Sequence, residues 1–269
     1  VSKKRLTITL SKSTLNKVDR LIDEKKIRSR SHAIETLLQK ALQPRIELAV
    51  ILAGDKDDSY DQIRPLTAVD NQPLIIYTLQ HLKKHGIKKV LLLTNDRGHE
   101  IKTVLDKYEI DLEIDWLFEN KPLGTAGALK NAANQINQTF YCLHGDVLTD
   151  INFDELAEFH EKHQSLATIA VKPRIPQDSY DNVFIQGNKV VDFQPKKEGQ
   201  IVSIVNSGVY VFEPEILSYI PDKTPTTLEQ DVFPKLAQTK RLNAFTFQGI
   251  WFDVSTDQNY KQAINEINK

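Results

Sequence analysis

Short apolar runs alternate with longer amphipathic stretches along most of the chain. Runs rich in Val, Ile, Leu and Phe at 46–53, 90–94, 113–118, 140–143, 166–171, 201–212 and 244–247 predict buried strands. Between them, apolar residues recur at helical spacing over 73–85, 98–108, 123–136 and 153–163. Segments 182–185 and 190–193 read as a hairpin across Gly187-Asn188. Two further helices are expected at 214–219 and 228–236, and a last one is capped by Asp257. Strands alternating with helices predict an α/β fold with a mixed, mostly parallel sheet and helices on both faces. The first forty or so residues follow a different pattern. Leu6, Ile8 and Leu10 alternate with Arg5, Thr7 and Thr9, which predicts one strand over 5–10. Ser11 or Ser13 then caps a helix carrying Leu15, Val18, Leu21 and Ile22. Ser29 caps a second, with Ile34, Leu37, Leu38 and Leu42 as its stripe. Pro44 ends it, so the chain divides into 1–43 and 44–269.

Composition narrows the class. The chain is 40% apolar and 26% charged, which predicts a folded protein. No apolar run approaches the roughly eighteen residues of a membrane span, and the V-S-K-K-R opening is no signal peptide. Cys142, the single cysteine, lies in an apolar strand, and a cytoplasmic location is expected. The net charge of -1 hides an asymmetry. Residues 1–44 hold eleven Lys and Arg against four acids, leaving 24 bases and 32 acids to the remainder. A basic head on an acidic body points to a polyanion at the head.

Three features of the body carry chemistry. Asp146 and Asp253 each follow apolar or aromatic residues at a predicted strand end, where ligands of α/β sheets gather. Brought together, they would hold one Mg²⁺ against substrate phosphates; apart, each would only close a turn. Gly124-Thr125 opens a helix whose free N–H groups suit a phosphate or a base edge, or whose glycines serve tight packing. Asn206 stands near Gly208, where a ligand can approach the backbone. In the head, one strand leaves both its edges unpaired, so a second copy is expected to supply its neighbour and make a homodimer or larger homo-oligomer. The paired ribbon would present Arg5, Thr7 and Thr9 to the DNA major groove, with the N–H groups around Ser29, Arg30 and Ser31 on a backbone phosphate.

Two resemblances follow from these motifs. R-L-T-I-T-L before a helix, and S-R-S-H-A-I opening the next, resemble a ribbon-helix-helix DNA-binding domain over about residues 3–42. The series I-L-A-G, R-P-L-T, Q-P-L-I, L-G-T-A-G-A-L, H-G-D-V-L-T-D, V-N-S-G-V-Y-V-F and W-F-D-V-S-T resembles the sugar-phosphate nucleotidyltransferases, with a Rossmann-like, GT-A type fold, across 46–269. That second resemblance implies Mg²⁺ on Asp146 and Asp253, a nucleotide sugar or sugar phosphate as ligand, and ligand contacts at Gly54, Gly124, Thr125, Asn206 and Lys196. If the body is active, Lys196 and Arg64, which stands near the position of the family's arginine, are the candidate catalytic cations.

The chain also departs from that family's pattern. The glycine-rich loop after the first strand has lost its second glycine and gained four residues, among them Asp55, Asp57, Asp58 and Asp61. Gln62 and Gln72 stand where the pattern has a cation, and Pro195 where it has a glutamate. Acids repel phosphates there. The resulting expectation is a DNA-binding regulator whose catalytically impaired body senses a nucleotide sugar. The alternative is an active Mg²⁺-dependent sugar-1-phosphate nucleotidyltransferase whose head serves oligomerisation.

Overall fold

A computed structural model describes residues 6–23, 25–42, 46–54, 63–69, 71–174, 182–194, 203–254 and 260, with no side-chain description for 39–42. The chain separates into two compact units, Val1–Pro44 and Arg45–Lys269.

In the first unit, α1 (Lys12–Asp19) is capped by Ser11, whose Oγ accepts from Thr14 N. Helix α2 (Arg30–Leu42) starts after Ser29, whose Oγ accepts from His32 N. The two helices meet through buried Val18 and Ala33. Residues 6–10 form no strand, contrary to the alternation, and Arg5 lies outside the described residues. A strand needs a neighbour to take its N–H and C=O groups, and the described residues of this unit supply none. Both sets of the alternation are exposed, with Leu6 at 79% and Ile8 at 47%.

The second unit is built on one nine-stranded sheet. Its elements run β1 (Leu48–Leu52), β2 (Ala68–Val69), β3 (Gln72–Pro73), α3 (Leu74–Lys84), β4 (Lys89–Thr94), α4 (Gly98–Leu105), β5 (Glu113–Phe118) and α5 (Gly124–Asn131). Then come β6 (Phe140–His144), β7 (Val147–Thr149), α6 (Phe153–His163), β8 (Ala167–Arg174), β9 (Asn182–Gln186), β10 (Lys189–Gln194) and β11 (Ser203–Phe212). Helix α7 (Phe233–Gln238), β12 (Leu242–Thr246) and β13 (Trp251–Asp253) complete the described elements. The sheet order is β5-β4-β1-β6-β11-β8-β12-β10-β9. It is mixed: β5, β4, β1 and β6 are mutually parallel, and β11 runs antiparallel between β6 and β8.

Side-chain alternation on the strands builds two cores. Ala49, Ile51, Tyr141 and Leu143 face α3, α4 and α6. Leu48, Val50, Phe140 and Cys142 face α5 and α7. Helices thus cover both faces, as the pattern predicted. A third, smaller cluster of Val69, Leu74, Leu148, Phe252 and Val254 sits under the paired β7 and β13.

Several local expectations change. The helix expected over 123–136 ends at Asn131, and a 3₁₀ turn follows at Ala133–Gln135. The helix expected over 228–236 opens as a π-helix, Leu228–Val232. Asn152 caps α6, accepting from Asp154 N and Glu155 N. The helix expected after Asp257 falls mostly outside the described residues. Among the described residues, no helix is long and apolar enough to cross a membrane.

Candidate functional site

The parallel strands β1, β4 and β6 stop in register, Leu52 beside Leu93 and His144. Their ends form the crevice in which open α/β sheets bind ligands. Gly145 turns the chain out of β6 in a tight space. A Cβ there would lie 3.1 Å from Ala53 Cα, Leu52 O and Pro65 Cγ. The turn sets Asp146 at the crevice edge, half-buried.

The second carboxylate arrives from the far end of the sequence. Strand β13 pairs antiparallel with β7, with Asp253 opposite Val147, and Val254 N donates to Asp146 O at 3.0 Å. Several bonds hold β13 in place. Trp251 Nε1 donates to Ser207 O at 2.7 Å, Ile250 N donates to Asp150 Oδ1 at 2.6 Å, and Arg174 binds Trp251 O. Asp146 and Asp253 are therefore neighbours by construction. Among the described residues no group of three or more His, Cys, Asp and Glu side chains gathers for a metal. Two carboxylates with the remaining positions left to water and phosphate oxygens suit Mg²⁺, which keeps much of its hydration shell. The residues fit the ion.

Arg64 completes this corner. It opens the 3₁₀ turn Arg64–Leu66, and its Nη1 donates to Asp146 Oδ2 at 3.4 Å. Gln72 lies on β3 and donates to Gln80 Oε1 at 3.4 Å. Gly54 stands at the exposed exit of β1. Lys196 and the acids at 55–61 lie outside the described residues.

The other wall is a polar network of which the sequence named only Thr125 and Asn206. Asn206 Nδ2 donates to Tyr210 OH at 2.9 Å, while its Oδ1 accepts from Gly208 N. Tyr210 OH lies 3.3 Å from His144 Nε2 and 3.4 Å from Glu229 Oε1. Glu229 Oε2 accepts from Thr125 Oγ1 at 3.1 Å, and that hydroxyl accepts from Leu228 N. Glu229 comes from the π-helix, a geometry common at functional sites. Its only sequence signal was an acidic pair inside L-E-Q-D-V, an otherwise apolar helical stretch.

The G-T-A-G turn departs from expectation. The N–H groups of Ala126 and Gly127 are not free: both donate to Thr226 O, at 3.0 and 3.1 Å. Gly124 has φ +78, and a Cβ on it would lie 2.4 Å from that same oxygen. Close packing accounts for this glycine, and Thr125 faces Glu229. Nearby, Glu119 accepts from Leu123 N, and burial raises its carboxyl above the ordinary range against that bond.

A mixed sheet with a crevice at its strand ends and Asp146 at the crevice edge defines the class of fold, and comparison assigns the family. Residues 58–269 match the nucleotidyl transferase family model, and the chain belongs to that family. Among similar proteins, mannose-1-phosphate guanyltransferase of Yarrowia lipolytica is 34% identical over 205 residues, 73% of this chain and 56% of that protein. The Saccharomyces cerevisiae mannose-1-phosphate guanyltransferase is 32% identical over 206 residues, with the same coverage. The chain thus matches just over half the length of these relatives. HddC of Yersinia pseudotuberculosis, solved in complex with GMP-PN, superposes with a TM-score of 0.71 at 25% identity, covering 82% of this chain and all of that one.

These findings overturn the regulator reading. The similar proteins are named for nucleotidyl transfer, and none of the comparisons points to a DNA-binding head. The residues assigned to DNA also have other roles. Thr7 and Thr9 lie on no strand, and Arg5 is not described. The Ser29 hydroxyl caps α2, with Ser31 in its first turn. Arg30 pairs two-pronged with Asp19 at 2.7 and 2.9 Å.

Proposed function

We propose that the protein is an active Mg²⁺-dependent nucleotidyltransferase that joins a nucleoside triphosphate to a sugar 1-phosphate. The observation that carries this reading is the β7–β13 pairing, which seats Asp253 beside Asp146 at the strand ends. In the reaction, a phosphate oxygen of the sugar 1-phosphate attacks the α-phosphorus. The bond to the β-phosphate breaks, and pyrophosphate leaves with its electron pair. Little covalent work is asked of the protein, so positioning and charge dominate.

Asp146 and Asp253 would hold the ion, and bound Mg²⁺ supplies charge neutralisation along the triphosphate. Arg64 contributes a cation on the same side. Asn206, Tyr210 and Glu229 form a wall of donors and acceptors suited to sugar hydroxyls, and Thr125 orients Glu229. Guanine is the first base to test, because the relatives are named guanyltransferases and HddC was solved with GMP-PN. Mannose 1-phosphate is the first acceptor to test, because those relatives are named for it.

The test is pyrophosphate release from four nucleoside triphosphates against a panel of sugar 1-phosphates, with and without Mg²⁺. Turnover near 1 s⁻¹ or above on one pair, in the ordinary enzyme range, is expected. No release with any pair, in full-length folded protein, would overturn the reading.

A further inference from the structure

Arg64 reaches across the chain to Asp146, 82 positions away, and the contact is built rather than incidental. Its backbone belongs to a 3₁₀ turn closed by Leu66 N to Ile63 O at 2.8 Å and Thr67 N to Arg64 O at 3.0 Å. Pro65 is buried beside Gly145, the residue that turns the chain toward Asp146. Gly145 N in turn donates to Leu52 O at 2.9 Å. The guanidinium and the carboxylate are 24% and 21% exposed, so neither is dissolved in bulk water.

We infer that Arg64 is the resident counter-ion of the metal-binding carboxylate Asp146, and that a divalent cation displaces its guanidinium toward the triphosphate. A divalent ion on either oxygen of Asp146 would place its charge within a few ångströms of the guanidinium, and that repulsion weakens the pair. Guanidinium stays charged at any working pH, and its planar fork suits phosphate as well as carboxylate. One side chain then serves two states: it balances Asp146 before the ion arrives and binds phosphate oxygens afterwards. The second half of this inference rests on the proposed nucleotidyl transfer; the first half does not.

The test is titration of the full chain with Mn²⁺ alone, followed by electron paramagnetic resonance of the free ion, for wild type, Arg64→Gln and Arg64→Lys. Removing the competitor should tighten Mn²⁺ binding by about two- to fivefold in R64Q, the yield expected from one partly exposed ion pair. R64K keeps the charge without the fork and should tighten less. Adding Asp146→Asn to R64Q should erase the gain. Binding of the Mg²⁺ complex of GTP should weaken in R64Q even as Mn²⁺ alone binds better. A purely structural role would weaken both. Unchanged or weaker Mn²⁺ binding in R64Q overturns the inference, and should R64Q not fold, R64K decides by the same criterion. The Mn²⁺ result needs neither nucleotide nor turnover. A protein that shows the tightening but releases no pyrophosphate would keep this inference while sinking the proposed function.

Discussion

Replacing Gly124 with alanine tests whether this turn is glycine for packing. Gly124 and Gly86 have nearly the same backbone, φ +78 and +82. Alanine at either position therefore pays a similar left-handed penalty of about 1–2 kcal/mol. Their surroundings differ. A Cβ on Gly86 meets nothing within 4 Å, whereas one on Gly124 would lie 2.4, 2.9 and 3.1 Å from the oxygen, carbon and nitrogen of Thr226. Those are backbone atoms, and the oxygen accepts from both Ala126 N and Gly127 N. Its retreat would strain two hydrogen bonds worth about 0.5–1.5 kcal/mol each. The expected loss is about 1–2 kcal/mol for Gly86→Ala and about 3 kcal/mol or more for Gly124→Ala. At about 2–4 °C per kcal/mol for a unit of this size, Tm should fall by at least about 6 °C in G124A and clearly less in G86A. Calorimetry on the two variants reads the difference directly. Equal shifts would mean that Thr226 yields freely, and the packing argument would fail. Equal shifts with weakened nucleotide binding in G124A alone would assign the missing Cβ to the ligand.

Asp146→Asn and Asp253→Asn should each lower turnover by about 100-fold or more at fixed Mg²⁺, measured as pyrophosphate release; near-normal rates in either would remove that residue from the metal site. Trp251→Phe deletes the 2.7 Å bond to Ser207 O and leaves a buried carbonyl unpaired, at a cost of about 1–3 kcal/mol. Because Asp253 lies two residues further on, W251F should also raise the Mg²⁺ concentration needed for half-maximal rate; a Tm change with no change in metal requirement would separate the anchor from the site. Burial holds His160 below the ordinary imidazole value despite its bond to Glu213. Its unfolded form titrates near about pH 6.5, so the fold keeps its full contribution above that pH and loses it as pH falls through that value. His81 is lowered by burial too and adds the same sign. His160→Gln should flatten the fall of Tm between about pH 7 and 5.5, and an unaltered slope in H160Q would count against a buried neutral imidazole.

Elements whose period and burial agree were legible in the sequence. Helix α6 and strand β5 run between the residues their patterns implied, because each buries one face against a core that the rest of the chain also predicts. Asp146 was legible for a similar reason: it directly follows a buried strand and a glycine. The network around Glu229 was not. It joins residues at 125, 144, 206, 210 and 229 through a π-helix, and no local period encodes that meeting. Residues 6–10 show the opposite failure. Alternation describes which side chains share a face, but a strand also needs a neighbour for its backbone.

Motif losses along the loop after β1 do not by themselves decide catalysis, for an electrostatic reason. Acids gained between 55 and 61, with glutamine at positions 62 and 72, reduce positive charge along the sequence, and the glycine lost after β1 removes a place for close N–H approach. Phosphoryl chemistry depends on charge within a few ångströms of the reacting oxygens, not on charge per segment. Three-dimensional folding delivers Arg64 to Asp146 through Pro65 and Gly145, and delivers Asp253 through a strand pairing a hundred residues away in sequence. Arg64 and Asp146 therefore stand together at the strand ends, with the backbone of Asp253 on the neighbouring strand. Motif loss in such a loop argues for altered substrate affinity, because that loop's N–H groups act on phosphates directly. It does not argue for lost chemistry while the groups that neutralise the developing charge remain assembled.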